Sequence, residues 1–113
     1  MKVEGIHSSY LYFARKFTAF GMHLEDYAAH SLNFLHVGAP KFWVVIHPSD
    51  FWLLEDLVHG LTRSTYSCSQ FVRHESVYIP TPVLRAAGVR YTLVEQREGE
   101  CVVTGRWEVN KGR

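Results

Sequence analysis

Short runs of aromatic and β-branched residues recur between turn signals along this chain, and that alternation restricts it to a mainly β architecture with two short helices. The expected strands are Tyr10 to Phe13, Thr18 to Met22 leading into His23, Ser31 to Val37, Lys41 to Ile46, Ser76 to Ile79, Tyr91 to Glu95 and Cys101 to Thr104. Gly38-Ala39-Pro40 predicts a turn that folds the third of these back on the fourth as an antiparallel hairpin. From Ser49 to His59, Phe51, Leu54, Leu57 and Val58 form a helical stripe, with Pro48 near its start and Gly60 just after its end. Thr81 to Gly88 repeats this logic over one or two turns, with Thr81 as N-cap, Pro82 at the first helical position and Gly88 as the stop. No internal repeat, linker or low-complexity segment interrupts the pattern.

The 113 residues suffice for one domain and exclude a second. Hydrophobic residues at 47% and aromatics at 14% are enough to bury a core and argue against disorder. A formal net charge of +1 provides no long-range field toward bare nucleic acid or a membrane surface, so a partner must be selected by a site. No apolar run is long enough to span a bilayer, and Met1-Lys2-Val3-Glu4-Gly5 is not a secretory signal; an intracellular protein is expected. Cys68 and Cys101 cannot form a disulfide framework and are expected as thiols or ligands, with Cys101 a small buried apolar residue.

Chemistry enters at His23-Leu24-Glu25. An imidazole and a carboxylate two residues apart in a strand lie on the same side and can grip one metal ion. The pair makes up two thirds of the facial triad of non-haem Fe(II) oxygenases, in which two His and one carboxylate occupy one face of the iron. By itself the spacing is equally that of an ordinary half-exposed strand.

Five ordered blocks surround the pair: Tyr10-Leu11-Tyr12-Phe13; Phe20-Gly21-Met22-His23-Leu24-Glu25-Asp26; Ser31-Leu32-Asn33-Phe34-Leu35-His36-Val37-Gly38-Ala39-Pro40-Lys41-Phe42-Trp43; Cys68-Ser69-Gln70-Phe71-Val72-Arg73-His74; and Gly99-Glu100-Cys101-Val102-Val103-Thr104. On these blocks the chain resembles, over residues 3–104, the JmjC domain of histone lysine demethylases, in particular the JmjN-containing branch that acts on trimethylated lysine. The resemblance implies a partial double-stranded β-helix, the cupin-like jelly roll. It also implies a partial JmjC domain over 3–104 and a divergent C-terminal tail over 105–113.

The resemblance further implies Fe(II) and 2-oxoglutarate as cofactor and co-substrate, a methylated histone tail peptide as partner and a nuclear location. It implies no sequence-specific nucleic-acid binding and no membrane partner. His23 and Glu25 match the first two iron ligands and thereby the catalytic centre. Lys41 matches the lysine that holds the distal carboxylate of 2-oxoglutarate by a charge-assisted hydrogen bond. Lys41 and Trp43 share a strand face, Asn33 on the facing strand matches a donor to the near carboxylate, and Phe20 matches the aromatic packed along the co-substrate. Tyr12, with Tyr10 beside it, matches the lining of a methyl-lysine pocket, where rings and oxygens surround a methylated ammonium. Cys68 and His74 match half of a zinc site of that branch, whose other two ligands lie beyond the iron site; structural zinc needs four.

After Thr104 the pattern breaks. The family continues into a proline and the second iron-binding histidine, whereas here Gly105-Arg106-Trp107-Glu108-Val109-Asn110-Lys111-Gly112-Arg113 follows, with Asn110 near the place of that histidine. His30, His36 and His47 lie in the wrong blocks to replace it, and His7 and His59 sit before and after them in loop or helix. Such a break is expected of an altered reading frame, a retained intron, a truncated gene model or a degenerate copy. The first functional expectation is therefore a Fe(II)- and 2-oxoglutarate-dependent N-methyl-lysine demethylase fragment, impaired by the absent histidine. In that reaction the co-substrate is oxidised to succinate, the N-methyl group is hydroxylated and the hemiaminal releases formaldehyde. The alternative is a non-catalytic JmjC-like chromatin interaction module; a small cupin-type enzyme with another substrate fits Asn33, Lys41 and Trp43 less well.

Overall fold

A computed structural model describes residues 2–3, 6–25, 29–62, 72, 77–105 and, by their backbone, 109–112. Among the described residues the strands are β1 (His23–Leu24), β2 (Ser31–Phe34), β3 (Lys41–Ile46), β4 (Tyr91–Gln96), β5 (Cys101–Thr104) and β6 (Val109–Gly112), with helices α1 (Phe51–Thr62) and α2 (Thr81–Ala86) between β3 and β4. One sheet has the order β1-β6-β3-β4 and the second pairs β2 with β5; every pairing is antiparallel. Two antiparallel sheets with two short helices are a partial jelly roll, as expected.

Residue alternation assigns the faces of the larger sheet. Lys41, Trp43 and Val45 lie on one face of β3, opposite Gln96, Val94 and Thr92 of β4. The same ladder steps place His23 and Asn110 on that face, because Asn110 pairs with His23 on one side and Val45 on the other. The opposite face carries Leu24, Val44, Ile46 and Tyr91 into the hydrophobic core. There Leu24 and Ile46 pack with Met22, Phe51, Leu54, Val58, Val72, Ile79, Leu84 and Val89. The helices are therefore on the face turned away from His23 and Lys41, which is left for chemistry.

Helix α1 buries Phe51, Leu54 and Val58 from the expected stripe and packs Leu57 against the core. It is preceded by a single 3-10 turn, Pro48–Asp50, and runs to Thr62, so Gly60 is inside it instead of terminating it. Glu55, on the buried side of α1, accepts the Val72 N–H with both carboxylate oxygens at 3.3 Å, which satisfies an otherwise buried charge. Helix α2 begins at Thr81, one residue earlier than expected, with Pro80 in the cap position and no side-chain cap. Its end is a Schellman motif: Gly88, at φ 75°, donates to Arg85 O at 3.1 Å, and Val89 donates to Leu84 O at 2.9 Å. Leu84 and Val89 supply the accompanying buried apolar contact.

Asp50 fastens this helical layer to the sheet. Its carboxylate accepts the Arg90 backbone N–H at 2.8 Å and the guanidinium Nε and Nη2 at 2.9 and 2.6 Å, while His47 N donates to Arg90 O at 3.0 Å. The side-chain hydrogen bonds from Arg90 draw the Asp50 carboxyl down to about 2.

The two sheets are joined by Gln96, which is 1% exposed. Its Oε1 accepts the indole N–H of buried Trp43 at 2.9 Å, and its amide nitrogen donates to the carbonyls of Asn33 on β2 and Glu100 before β5 at 2.9 and 3.0 Å. One side chain thus satisfies three buried or half-buried backbone and ring groups.

Several expectations are corrected here. The hairpin between Ser31–Val37 and Lys41–Ile46 does not form: β3 has both edges occupied, by β4 and β6, so β2 pairs with β5 in the other sheet. The backbone of Leu35, just past β2, is taken up by Glu100 O and Gly99 N at 3.0 and 2.8 Å. Gly38, at φ 121°, then helps turn the chain toward the other sheet. Tyr10 to Phe13 and Thr18 to Met22 are not strands, because no ladder neighbour is present among the described residues; Met22 N donates to Val77 O at 3.0 Å. Ser76 lies outside the described residues, and Val77 to Ile79 are irregular, with Ile79 wholly buried. Cys101 is exposed, not buried, since it shares the outer face of the small sheet with Phe34, Leu32 and Val103.

Two outcomes test these connections. Asp50→Asn lowers the urea midpoint at neutral pH. Because the folded carboxyl titrates at about 2 and the unfolded one near 3.8, the difference from wild type is full above pH 4 and disappears as the pH falls through about 2. Gln96→Leu leaves the Trp43 N–H and two carbonyls without this partner and costs on the order of 2–4 kcal/mol in urea unfolding, with Trp43 emission shifted to the red.

Candidate functional site

His23 and Glu25 are at the open end of β1. A carbonyl can only accept, so the 3.0 Å contact between His23 Nδ1 and Gly21 O fixes the proton on Nδ1 and leaves the Nε2 lone pair free. That Nε2 is 3.8 Å from Glu25 Oε1. Both side chains are only partly covered, 41% and 27% exposed, so as an ion pair the contact contributes little.

Lys41 stands beside this pair at the start of β3. Its ammonium is 3.8 Å from the centre of the Trp43 ring and 4.6 Å from that of Phe20. Partial burial between the rings lowers its pKa to about 8, opposed by the negative charge of Glu25. At neutral pH Lys41 is thus a half-desolvated cation whose remaining side is suited to an anion. Trp43 is held in place by Gln96, which pairs directly with Lys41 across the ladder. The strand ladder and the Gln96 bond therefore control the orientation of the aromatic wall.

The aromatic row continues outward. Phe20 meets Tyr12 edge to face at 6.3 Å, and Tyr12 meets Tyr10 at 6.1 Å. Both tyrosines are more than half exposed, so they form a surface path leading to Lys41 and not a core cluster. Asn33 is on β2 of the other sheet, not on a strand paired with β3; its backbone carbonyl is linked to the site through Gln96. The structure brings together Phe20, His23, Glu25, Lys41 and Trp43, with Tyr12 and Tyr10 in contact beyond them. Cys68 and His74 lie outside the described residues.

Other histidines are engaged elsewhere. His30 Nδ1 contacts Thr104 O at 3.3 Å, His47 Nδ1 contacts the Ser49 hydroxyl at 2.8 Å, His36 packs on Phe34, and His7 Nδ1 accepts Val3 N–H at 3.0 Å. Among the described residues no group of three His, Cys, Asp or Glu side chains converges on a metal position. Among the described residues the donor chemistry is thus one imidazole and one carboxylate. These residues do not complete the two-His, one-carboxylate set that a catalytic iron of this type requires.

Sequence reasoning missed Gln96 because it ended the strand at Glu95. The available signal was the alternation of Thr92, Val94 and Gln96, which carries an amide onto the same face as Trp43. A buried indole needs an acceptor, and this was the nearest one in register.

The family model of the JmjC domain, described as a hydroxylase, matches residues 10–106. The chain is 36% identical over 103 residues to lysine-specific demethylase 4B of Mus musculus, covering 90% of this chain and 10% of that protein. It is 37% identical over 103 residues to lysine-specific demethylase 4D of Rattus norvegicus, again over 90% of this chain and 20% of the relative. The chain therefore spans a fifth or less of the length of these relatives. With its sheet, its His23–Glu25 pair and a match across most of its length, the chain belongs to the JmjC domain family.

Proposed function

We propose that this chain is a 2-oxoglutarate-binding fragment of a JmjC oxygenase directed at N-methyl-lysine in histone tails, impaired in turnover because the second iron-binding histidine is absent. The observation that carries the reading is Lys41, half-buried against Phe20 and Trp43 and next to the His23–Glu25 pair. A cation so placed has lost part of its hydration and gains most from a carboxylate that enters the same space. The dicarboxylate 2-oxoglutarate has one carboxylate for Lys41 and a keto-acid end for the metal position. Phe20 and Trp43 supply apolar walls for its methylene groups, and the Asn33 amide is the assigned donor to the near carboxylate.

Tyr12 and Tyr10 suit the other substrate. Their exposed rings lead from the surface to the site, and aromatic faces attract a methylated ammonium, which cannot be captured by ordinary hydrogen bonding. The relatives' names, lysine-specific demethylases, support this substrate class and with it a nuclear, chromatin-associated location. When bound by a complete ligand set, iron supplies the oxidative chemistry; the protein's own contribution is to hold the co-substrate and shield the reacting centre. Zinc belongs to this reading only as a property of the parent fold, through Cys68 and His74.

A second reading, a non-catalytic JmjC-like chromatin interaction module, is favoured by the incomplete donor set among the described residues. The two diverge at Lys41. On the oxygenase-derived reading, Lys41→Ala weakens 2-oxoglutarate binding at pH 7, measured calorimetrically, by roughly tenfold or more, in keeping with the loss of a charge-assisted hydrogen bond. Unchanged binding would reject the co-substrate site. The 113-residue chain supplied with Fe(II), 2-oxoglutarate and a trimethyl-lysine peptide is expected to release no formaldehyde; release that His23→Ala abolishes would show that turnover is intact.

A further inference from the structure

The chain turns sharply at residues 15–18, within an exposed stretch that precedes β1. Thr18 N donates to Arg15 O at 3.0 Å and Arg15 N donates to the Thr18 hydroxyl at 3.1 Å, so the turn is closed from both ends. Phe17 takes its third position at φ 69°, a left-handed conformation that glycine or asparagine ordinarily supplies there. A phenylalanine is thus held in a disfavoured conformation with its ring in water. Phe17 is 89% exposed and Phe13, four residues earlier, is 92% exposed, the two most exposed large apolar side chains among the described residues. Neither ring serves the core. Arg15 and Lys16 stand between them, and no Asp or Glu occurs from Gly5 to Leu24. The small net charge of the whole chain conceals this local excess.

We propose that this turn binds single-stranded nucleic acid, with bases stacking on Phe13 and Phe17 and phosphates meeting Arg15 and Lys16. Exposed rings interleaved with cations suit an unpaired strand, because every base has a face to stack and every nucleotide carries a phosphate. A duplex keeps its base faces inside the stack and offers the turn little beyond phosphates. Lys16 decides against an apolar groove or a bilayer. Its ammonium lies 5.0 Å from the centre of the Phe17 ring, so burying that ring in hydrocarbon would strip water from the charge or break the contact. A nucleotide accommodates both groups: the base covers the open face of the ring and the phosphate meets the ammonium. The hydrogen bonds across the turn fix the platform before binding, which lowers the ordering cost. His23, Glu25 and Lys41 take no part, so the proposal is independent of how that site is read.

The test is fluorescence anisotropy of a labelled oligothymidine of about 16 nucleotides, titrated with the 113-residue chain at low salt. Binding is expected to weaken with salt at a log–log slope of roughly −1.4, as two phosphate contacts to a single strand give. Phe17→Gly keeps and relaxes the turn while removing the ring, and should weaken binding roughly tenfold; Phe13→Ala provides a second ring deletion away from the strained position. Lys16→Gln should make the salt slope shallower by about 0.7, whereas Arg97→Gln, at the far end of β4, should change neither affinity nor slope. Circular dichroism confirms that each variant is folded. The proposal is overturned if the oligonucleotide does not bind, if neither folded ring variant weakens it, or if a duplex of the same length binds as tightly. It also fails if Arg97→Gln weakens binding as much as Lys16→Gln, since the attraction is then diffuse charge. Phe17-dependent binding to phosphatidylserine vesicles without binding to the oligonucleotide would make the occupant a membrane and reject the nucleic-acid reading.

Discussion

The buried amide of Gln96 is the interaction on which the arrangement of the site depends. An amide has an acceptor oxygen and two donor hydrogens, and here each end is engaged: the oxygen accepts the Trp43 indole N–H and the two N–H donors go to the Asn33 and Glu100 carbonyls. Such a network is strong when complete and costly when any member is lost, because the interior offers no water to replace it. Its geometric effect exceeds its energetic one. It holds the small β2–β5 sheet against the β3–β4 edge of the larger one, and it locks the ring that forms one wall around Lys41.

From that fixed wall the electrostatics of the site follow. Trp43 and Phe20 strip part of the water from the Lys41 ammonium, and Glu25 compensates with negative charge, leaving a cation that is charged at neutral pH yet incompletely solvated. His23 is oriented by its bond to Gly21 O, so its free nitrogen faces the same space as Glu25. Asp50 and Arg90 act on the far side of the sheet, where they hold the helical layer to the start of β4. The division is between a packed face and a chemical face, separated by one residue of alternation along β3.

Much of this was legible beforehand. Strands β3 and β5 begin and end where their aromatic and β-branched runs do, and β4 extends the expected run by Gln96 alone. The stripe of α1 and the Pro82 to Gly88 signals of α2 also correspond to real helices. Tyr10 to Phe13 failed as a strand because β propensity without a neighbouring ladder leaves backbone groups to water, and aromatic contacts with Tyr12 and Phe20 shape the segment instead. The Gly38-Ala39-Pro40 turn was real, but which strand it delivered its flanks to was not a local property.

By itself the sequence determined which residues share a face within a strand, since a period of two puts Lys41 with Trp43 along β3. It also determined that the chain would be mainly β, with Gly88 closing α2, although Gly60 did not close α1. Only the tertiary structure decided which strands meet. Pairing joins residues far apart in the chain, and β3 has just two edges, so giving them to β4 and β6 excluded β2 and brought Asn110 opposite His23. The same non-local choice made Gln96, an unremarkable residue at a strand end, the bond between two sheets.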